Sequence, residues 1–253
     1  MKLFDAHTHI DMKDFQNDLD SVIRRAKDKG LVGMTTSSIG PGSFRRTLGL
    51  VRKYDGFIYH SAGCSVSQLT RKDADTIISL SRKYASEIVA VGEVGLDYYW
   101  IKDPAGRKAQ DPFLVDFISL ARELQVPLVI HSRKAEAEAT NIIESRFSGD
   151  VLMHCFDGPA EVAQRIRDND WYITLPANFM RFKNRLGAAR ILPLERLMLE
   201  TDGPYMSPTK ERNEPANISI GCENLSKLLD LPLEDVASQT TKNAIRFYNI
   251  QMT

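Results

Sequence analysis

"LFDAHTHI", residues 3–10, opens the chain and decides how the rest is read. It is apolar enough for a buried strand, yet Asp5, His7 and His9 fall on alternate positions. In an extended strand successive side chains point to opposite faces, so these three share one face. Phe4, Ala6 and Thr8 share the other and are expected to pack toward surrounding helices. A strand with an acid and two imidazoles on its inward face needs something polar to receive them.

Seven further β-rich apolar runs follow: VGMTTSSI (32–39), FIYHSAGC (57–64), VAVGEVGL (89–96), PLVIHSR (127–133), VLMHCF (151–156), WYITLP (171–176) and LMLETD (197–202). Amphipathic segments lie between most of them. DFQNDLDSVIRRAKDKG (14–30) sets Leu19, Val22, Ile23 and Ala26 at helical spacing, with Gly30 as its stop. DPFLVDFISLAREL (111–124) is expected to begin a helix at Asp111 as N-cap, with Pro112 in the first helical position. The segment after Pro232, LEDVASQTTKNAIRFYNI, reads as a closing helix.

Strands alternating with helices imply parallel pairing through right-handed crossovers, and eight such units close into a (β/α)8 TIM-type barrel. Residues 1–253 then form a single domain, a length that suits this fold. The rival is an open doubly wound sheet, but no G-x-G-x-x-G or phosphate-loop motif follows the first strand. With 33 basic and 33 acidic residues the chain is not a globally basic nucleic-acid binder, so any charge preference for a partner is local. Cys64, Cys155 and Cys222 are far apart and form no C-x-x-C, which fits packing residues of a reduced, cytoplasmic protein. No apolar run approaches a membrane span, and no signal peptide or anchor is expected.

His7 and His9 end the first strand, Glu93 comes late in the fourth, His131 and His154 lie in the fifth and sixth, and Asp202 ends the eighth. In a barrel these strand ends converge on one mouth, where such folds build their active sites. Four imidazoles and two carboxylates gathered there are costly without a partner, and a divalent cation supplies one. Six ligands exceed what a single catalytic zinc takes but suit a two-metal centre bridged by one carboxylate, for which Glu93 is the candidate. His60, beside Tyr59 and Ser61 in the third strand, reads instead as a satisfied buried imidazole. Cys155 faces away from the side taken by His154 and is not expected to ligate.

Taken together, these motifs resemble the TatD family of metal-dependent deoxyribonucleases, within the amidohydrolase-like metal barrels. DAHTHID (5–11) is similar to that family's D-x-H-x-H-x-D, GEVGLDY (92–98) to its G-E-x-G-L-D-Y, and PLVIHSR (127–133) to its P-x-x-x-H-x-R. HCFDG (154–158), ETDGPY (200–205) and RNEP (212–215) complete the set in family order. The resemblance implies one metal on His7, His9, Glu93 and Asp202, and a second on Glu93, His131 and His154. The chain departs from the family at GCSVSQ (63–68), where Ser65 and Val66 replace the common His-Pro of G-x-H-P. That puts the substrate preference in question more than the metal chemistry.

Two metals roughly 3.5–4 Å apart can lower the pKa of a water and clamp both oxygens of a displacement at phosphorus, so phosphodiester hydrolysis is expected. Asp202 is placed to ligate and to accept the water's proton. Arg133, two residues after His131, either grips a phosphate oxygen from the mouth or caps the strand end at the surface. Arg107, Lys108, Lys134, Arg181, Lys183, Arg185, Lys210 and Arg212 follow strands as well. They form a positive rim for a nucleic-acid backbone or else solvated faces; Arg212 joins Arg133 as a substrate-binding candidate. Phe179, Phe182 and Tyr205 are candidate stacking platforms for single strands, or pack down on the barrel.

The leading expectation is a divalent-metal-dependent deoxyribonuclease that trims DNA from an end. The alternatives are a two-metal hydrolase of a small phosphoester, ester, lactone or C–N bond, and a catalytically quiet metal-binding scaffold, against which the complete ligand set argues. Zinc, manganese and nickel suit the imidazole-rich donors, whereas magnesium prefers oxygen. The sequence does not set the oligomeric state, and a monomer suffices.

Overall fold

Strand and helix alternate along the whole chain in a computed structural model that describes residues 1–251 apart from Leu69. The elements run β1 (Leu3–Thr8), α1 (Leu19–Asp28), β2 (Leu31–Ser37), α2 (Pro41–Lys53), β3 (Ile58–Ala62), α3 (Arg71–Lys83), β4 (Ala90–Asp97) and α4 (Pro104–Leu124). They continue with β5 (Leu128–Arg133), α5 (Glu136–Glu144), β6 (Val151–Met153), α6 (Ala160–Asp168), β7 (Tyr172–Pro176), α7 (Lys183–Ile191), β8 (Leu197–Glu200), α8 (Ile218–Leu229) and α9 (Leu233–Phe247). The eight strands pair in parallel in sequence order. The fold is the TIM-type barrel that the alternation predicts.

β1 and β8 meet at the mouth end of the barrel. Asp202 N–H donates to the His7 carbonyl at 3.0 Å, and His9 N–H donates to the Gly203 carbonyl at 2.8 Å. Asp5 strengthens this seam. Its carboxylate accepts the Thr201 N–H at 2.9 Å and the Thr201 hydroxyl, and is fully buried. The acid of the opening strand therefore holds the barrel shut, while the two histidines alone go to the mouth.

Two apolar clusters divide the strands' faces. Leu3, Ile58, Leu128, Ile130 and Val151 pack outward on helix residues such as Val22, Ile77, Phe117 and Ile143. Phe4, Ala6, Val129, Leu152, Tyr172 and Met198 share the other cluster, where Phe247 and Tyr248 at the end of α9 join them. Tyr248 Oη donates to the Ala6 carbonyl at 2.7 Å, so the closing helix plugs the barrel floor. The expectation that Phe4 and Ala6 pack toward the helices is thus overturned. β1 pairs with β2 through register shifts at Leu3/Phe4 and at Asp5/Thr8, which break the strict alternation on which that expectation rested.

α4 also differs from its reading. It begins at Pro104, with the Asp103 carboxylate capping the Gly106 N–H at 2.7 Å, and Pro112 sits inside it. The sequence contains two Asp-Pro pairs eight residues apart, at 103–104 and 111–112, and the first is the true start. The extra turns carry Gln110, whose Oε1 accepts the Asp97 N–H at 2.7 Å at the end of β4. Among the described residues no helix is long and apolar enough to cross a membrane.

Candidate metal centre

The six expected ligands do meet at one mouth, although three of them lie just past their strands. His9 follows β1, His154 follows β6, and Asp202 stands two residues beyond β8. Backbone kinks aim the last two, with Cys155 at φ +48° beside His154 and Asp202 itself at φ +55°. Glu93 is inside β4, and its position depends on glycine. At Gly92 (φ +143°) a Cβ would lie 2.2 Å from the Val129 carbonyl oxygen, and at Gly95 (φ +150°) one would lie 1.9 Å from that of His131. No other residue lets β4 approach β5 this closely.

Glu93 is the hub. Its Oε1 lies 3.6 Å from His9 Nε2. Its Oε2 lies 3.6 Å from His7 Nε2, 3.5 Å from His131 Nδ1 and 2.6 Å from His154 Nε2. Asp202 Oδ1 stands 3.4 Å from His9 Nε2 and 3.8 Å from His7 Nε2. Three overlapping sets have ligand atoms close enough to share an ion: His7, His9 and Glu93; Glu93, His131 and His154; and His7, His154 and Asp202.

The outward nitrogen of two rings touches an acceptor, and that of a third, His154, faces the buried Glu200 carboxylate beyond hydrogen-bond distance. His9 Nδ1 is 3.0 Å from the Ser37 carbonyl, His131 Nε2 is 3.0 Å from Asp97 Oδ2, and His154 Nδ1 is 3.7 Å from Glu200 Oε2. A proton held on the outward nitrogen leaves the inward one as a lone pair. The inward nitrogens stand in two close pairs, with His7 Nε2 and His9 Nε2 3.3 Å apart, and His131 Nδ1 and His154 Nε2 3.2 Å apart. Such an arrangement suits a cation between them. The buried Glu93 Oε2, set among the His7, His131 and His154 nitrogens, fits the same role.

The electrostatics agree. Burial would raise the Glu93 carboxyl, but the His154, His131 and His9 imidazoles hold it well below the usual carboxylate range. Burial would lower His9, yet Asp202 and Glu93 hold it up at about 9. His7 is pushed well below its ordinary value by burial and by the neighbouring His154. A concentration of negative charge that draws protons onto imidazoles draws a divalent ion to the same nitrogens, with release of those protons.

Sequence reasoning passed over three supporting groups. Asp97 is the aspartate of GEVGLDY and Glu200 the glutamate of ETDGPY, while Ser37 supplies its carbonyl to His9 and its hydroxyl to the Glu93 N–H. Both carboxylates were visible within motifs, but nothing in the spacing separates an acid that touches a ring from one that touches an ion. Burial pushes the Asp97 carboxyl up, and the His131 ring with the Trp100 and Tyr99 amides outweighs it, so the group stays ionised to lower pH than usual. His60 lies away from the cluster, fully buried, with Nε2 3.0 Å from Ser38 Oγ.

The substrate-binding candidates separate. Arg133 is exposed at the end of β5, with its guanidinium 3.8 Å from the centre of the Tyr99 ring. Arg212 does not stand free as expected. Its fork closes on Asp18 at 2.9 and 2.7 Å and reaches the Asp14 carbonyl, so its donors pin the loop after β8 to the loop after β1. Arg185, expected on the rim, is only 5% exposed and donates to Cys155 Sγ at 3.2 Å. Phe179 is fully buried and Phe182 lies under Arg185, so of the three aromatic candidates Tyr205 alone presents a largely open ring.

Eight parallel strands with imidazoles and carboxylates gathered at one mouth define an amidohydrolase-like metal barrel. The sequence profile described as TatD related DNase matches residues 4–249. The chain belongs to that family. It is 31% identical over 258 residues to human "Deoxyribonuclease TATDN3", covering 97% of this chain and 94% of that protein. It is 32% identical over 258 residues to the "Uncharacterized metal-dependent hydrolase YabD" of Bacillus subtilis, covering 98% and 99%. The crystal structure of the TatD homologue YJJV from Escherichia coli superimposes with a TM-score of 0.90 at 22% identity, covering 98% of each chain.

Proposed function

We propose that this protein is a divalent-metal-dependent phosphodiesterase that acts on DNA and removes nucleotides from a strand end. The observation that carries this reading is the shared position of Glu93, one buried carboxylate reaching the His7–His9 pair on one side and the His131–His154 pair on the other. Two ions, held by His7, His9, Glu93 and Asp202 and by Glu93, His131 and His154, would supply Lewis acidity toward a phosphodiester. The donor set is rich in imidazole, which favours zinc, manganese or nickel over magnesium. The relatives named above support the substrate class and the metal dependence.

The chain's own residues do the rest. Asp202 is partly open to the mouth and offers a carboxylate oxygen to the proton of the attacking water. Arg133 presents its planar fork to a phosphate oxygen from the end of β5. Ser37 and Asp97 fix the His9 and His131 rings that face the hub. The barrel floor, plugged by Phe247 and Tyr248, leaves one way in, and a closed mouth admits a strand terminus more readily than intact duplex.

The test is a panel of short end-labelled DNA and RNA strands, with chelator and with metal added back, comparing the parent with Glu93→Ala and Asp202→Asn. Cleavage that stops with chelator, returns with metal and is lost in both variants supports the reading. Unchanged cleavage in both variants rejects it.

A further inference from the structure

Six large apolar side chains are exposed among the described residues: Met1, Tyr99, Trp100, Met180, Tyr205 and Leu231. Four of these, Tyr99, Trp100, Met180 and Tyr205, stand on loops that follow β4, β7 and β8, around the same mouth as the metal ligands. Apolar surface concentrated at one rim marks a contact surface rather than incidental exposure.

The β4 side of that rim is built rather than loose. Asp97 Oδ1 accepts the N–H of Tyr99 and that of Trp100, each at 2.9 Å. The other oxygen of the same carboxylate holds His131. Trp100, 63% exposed, stands edge-to-face against Tyr99 with ring centres 5.0 Å apart, and Arg133 lies 5.9 Å from the Trp100 ring. On the far side Tyr205, 52% exposed, meets His9 edge-on at 6.2 Å. β4 and β8 are four strands apart in an eight-stranded barrel, so the two aromatic groups flank the metal ligands from opposite sides.

A flat ring open to solvent beside a guanidinium matches a planar heterocycle attached to an anion. An unpaired nucleotide has both parts, whereas duplex DNA keeps its base faces stacked inside the helix. We propose that Trp100, propped by Tyr99 and Arg133, is a stacking platform for an unpaired base of single-stranded DNA, with Tyr205 receiving a second base across the mouth. This assignment rests on the phosphodiesterase reading above and specifies which part of the substrate the protein grips.

The chain has two tryptophans, and Trp171 is buried, so quenching of the exposed indole reports the platform directly. Phosphorothioate strands carrying a terminal fluorophore are titrated into metal-loaded protein, alongside matched strands without bases, and the anisotropy of the label gives the affinity of the parent and the variants alike. Stacking is worth about 1–3 kcal/mol per base, so Trp100→Ala should weaken binding of the base-bearing strand roughly 5- to 150-fold. Trp100→Phe, which keeps a flat ring, should recover most of the loss. The abasic strand should bind the parent and Trp100→Ala within about twofold of each other. Equal affinity of the parent and Trp100→Ala for the base-bearing strand, or an equal loss on the abasic strand, overturns the platform. Hydrolysis of an abasic phosphodiester strand is measured in parallel. Cleavage there without any effect of Trp100→Ala on binding sinks the platform and spares the phosphodiesterase reading; the binding effect without cleavage of any strand does the reverse.

Discussion

Asp97→Asn is the sharpest perturbation of the site because it changes one contact and preserves the others. In the parent, Oδ2 of this buried carboxylate faces His131 Nε2 at 3.0 Å, and Oδ1 accepts two backbone amides. An asparagine keeps a carbonyl oxygen for those amides but presents N–H to the ring. Two donors cannot share that contact, so Nε2 must give up its proton and Nδ1 must take it. Nδ1 is the atom 3.5 Å from Glu93 Oε2 and 3.2 Å from His154 Nε2, and once protonated it has no lone pair for a metal. Losses of this kind cost roughly 10- to 100-fold in metal affinity, or about 1.4–2.7 kcal/mol. The loss should fall on the ion held by Glu93, His131 and His154, while the ion at His7 and His9 is retained. Competition against a metal indicator measures both affinities, and thermal unfolding of the metal-free protein checks the fold. Two unchanged affinities in a normally folded variant would refute the tautomer argument.

Other outcomes follow from particular contacts. Burial holds the His60 pKa at about 3, well below the roughly 6.5 of an unfolded chain, so between those values the unfolded state binds a proton that the folded state excludes. Stability contributed by this group is complete above pH 6.5 and declines on acidification, by about 2 kcal/mol at pH 5; urea unfolding of the parent and His60→Gln should differ in pH slope over that range, and identical slopes would contradict it. Gly95→Ala drives a Cβ to 1.9 Å from the His131 carbonyl at φ +150° and should cost at least about 3 kcal/mol, which a melting temperature within two degrees of the parent's (about 1 kcal/mol or less) would disprove. Arg212→Ala should lower stability by about 0.5–1 kcal/mol and leave KM for DNA unchanged, because the guanidinium is committed to Asp18; a raised KM would return it to the substrate. Arg133→Ala should do the opposite, raising KM without lowering the melting temperature.

The meeting of six candidate ligands at one mouth is legible in the sequence because two rules suffice for it. Strand periodicity locates the strand ends, and barrel closure brings those ends together, so His7, His9, Glu93, His131, His154 and Asp202 needed no knowledge of side-chain contacts. The misreadings arise where a neighbour remote in sequence decides the outcome. The faces of Phe4 and Ala6 depend on a register shift against β2, which no pattern within residues 3–10 encodes. The start of α4 is ambiguous in sequence because two equivalent Asp-Pro pairs offer it, and the fold uses the first. Arg212 and Arg185 look like free loop cations until Asp18 and Cys155, each more than two dozen residues away, are seen to hold them.

β4 shows why support was harder to read than ligation. Within eight residues it supplies the hub carboxylate at Glu93, the glycines that let it approach β5, the ring-orienting Asp97 and, just beyond, the exposed pair Tyr99 and Trp100. Asp97 joins two of these functions through separate oxygens, one on His131 and one on the Tyr99 and Trp100 amides. An ionised carboxylate accepts through two separate oxygens and donates nothing, which gives this position a reason to be acidic beyond charge. Asp97→Asn divides the two: the amides keep their acceptor and the indole its placement, while His131 loses its orientation. Undiminished quenching of Trp100 by single strands, alongside weakened metal binding, is therefore the combined signature of a strand that organises substrate grip and metal capture through one residue.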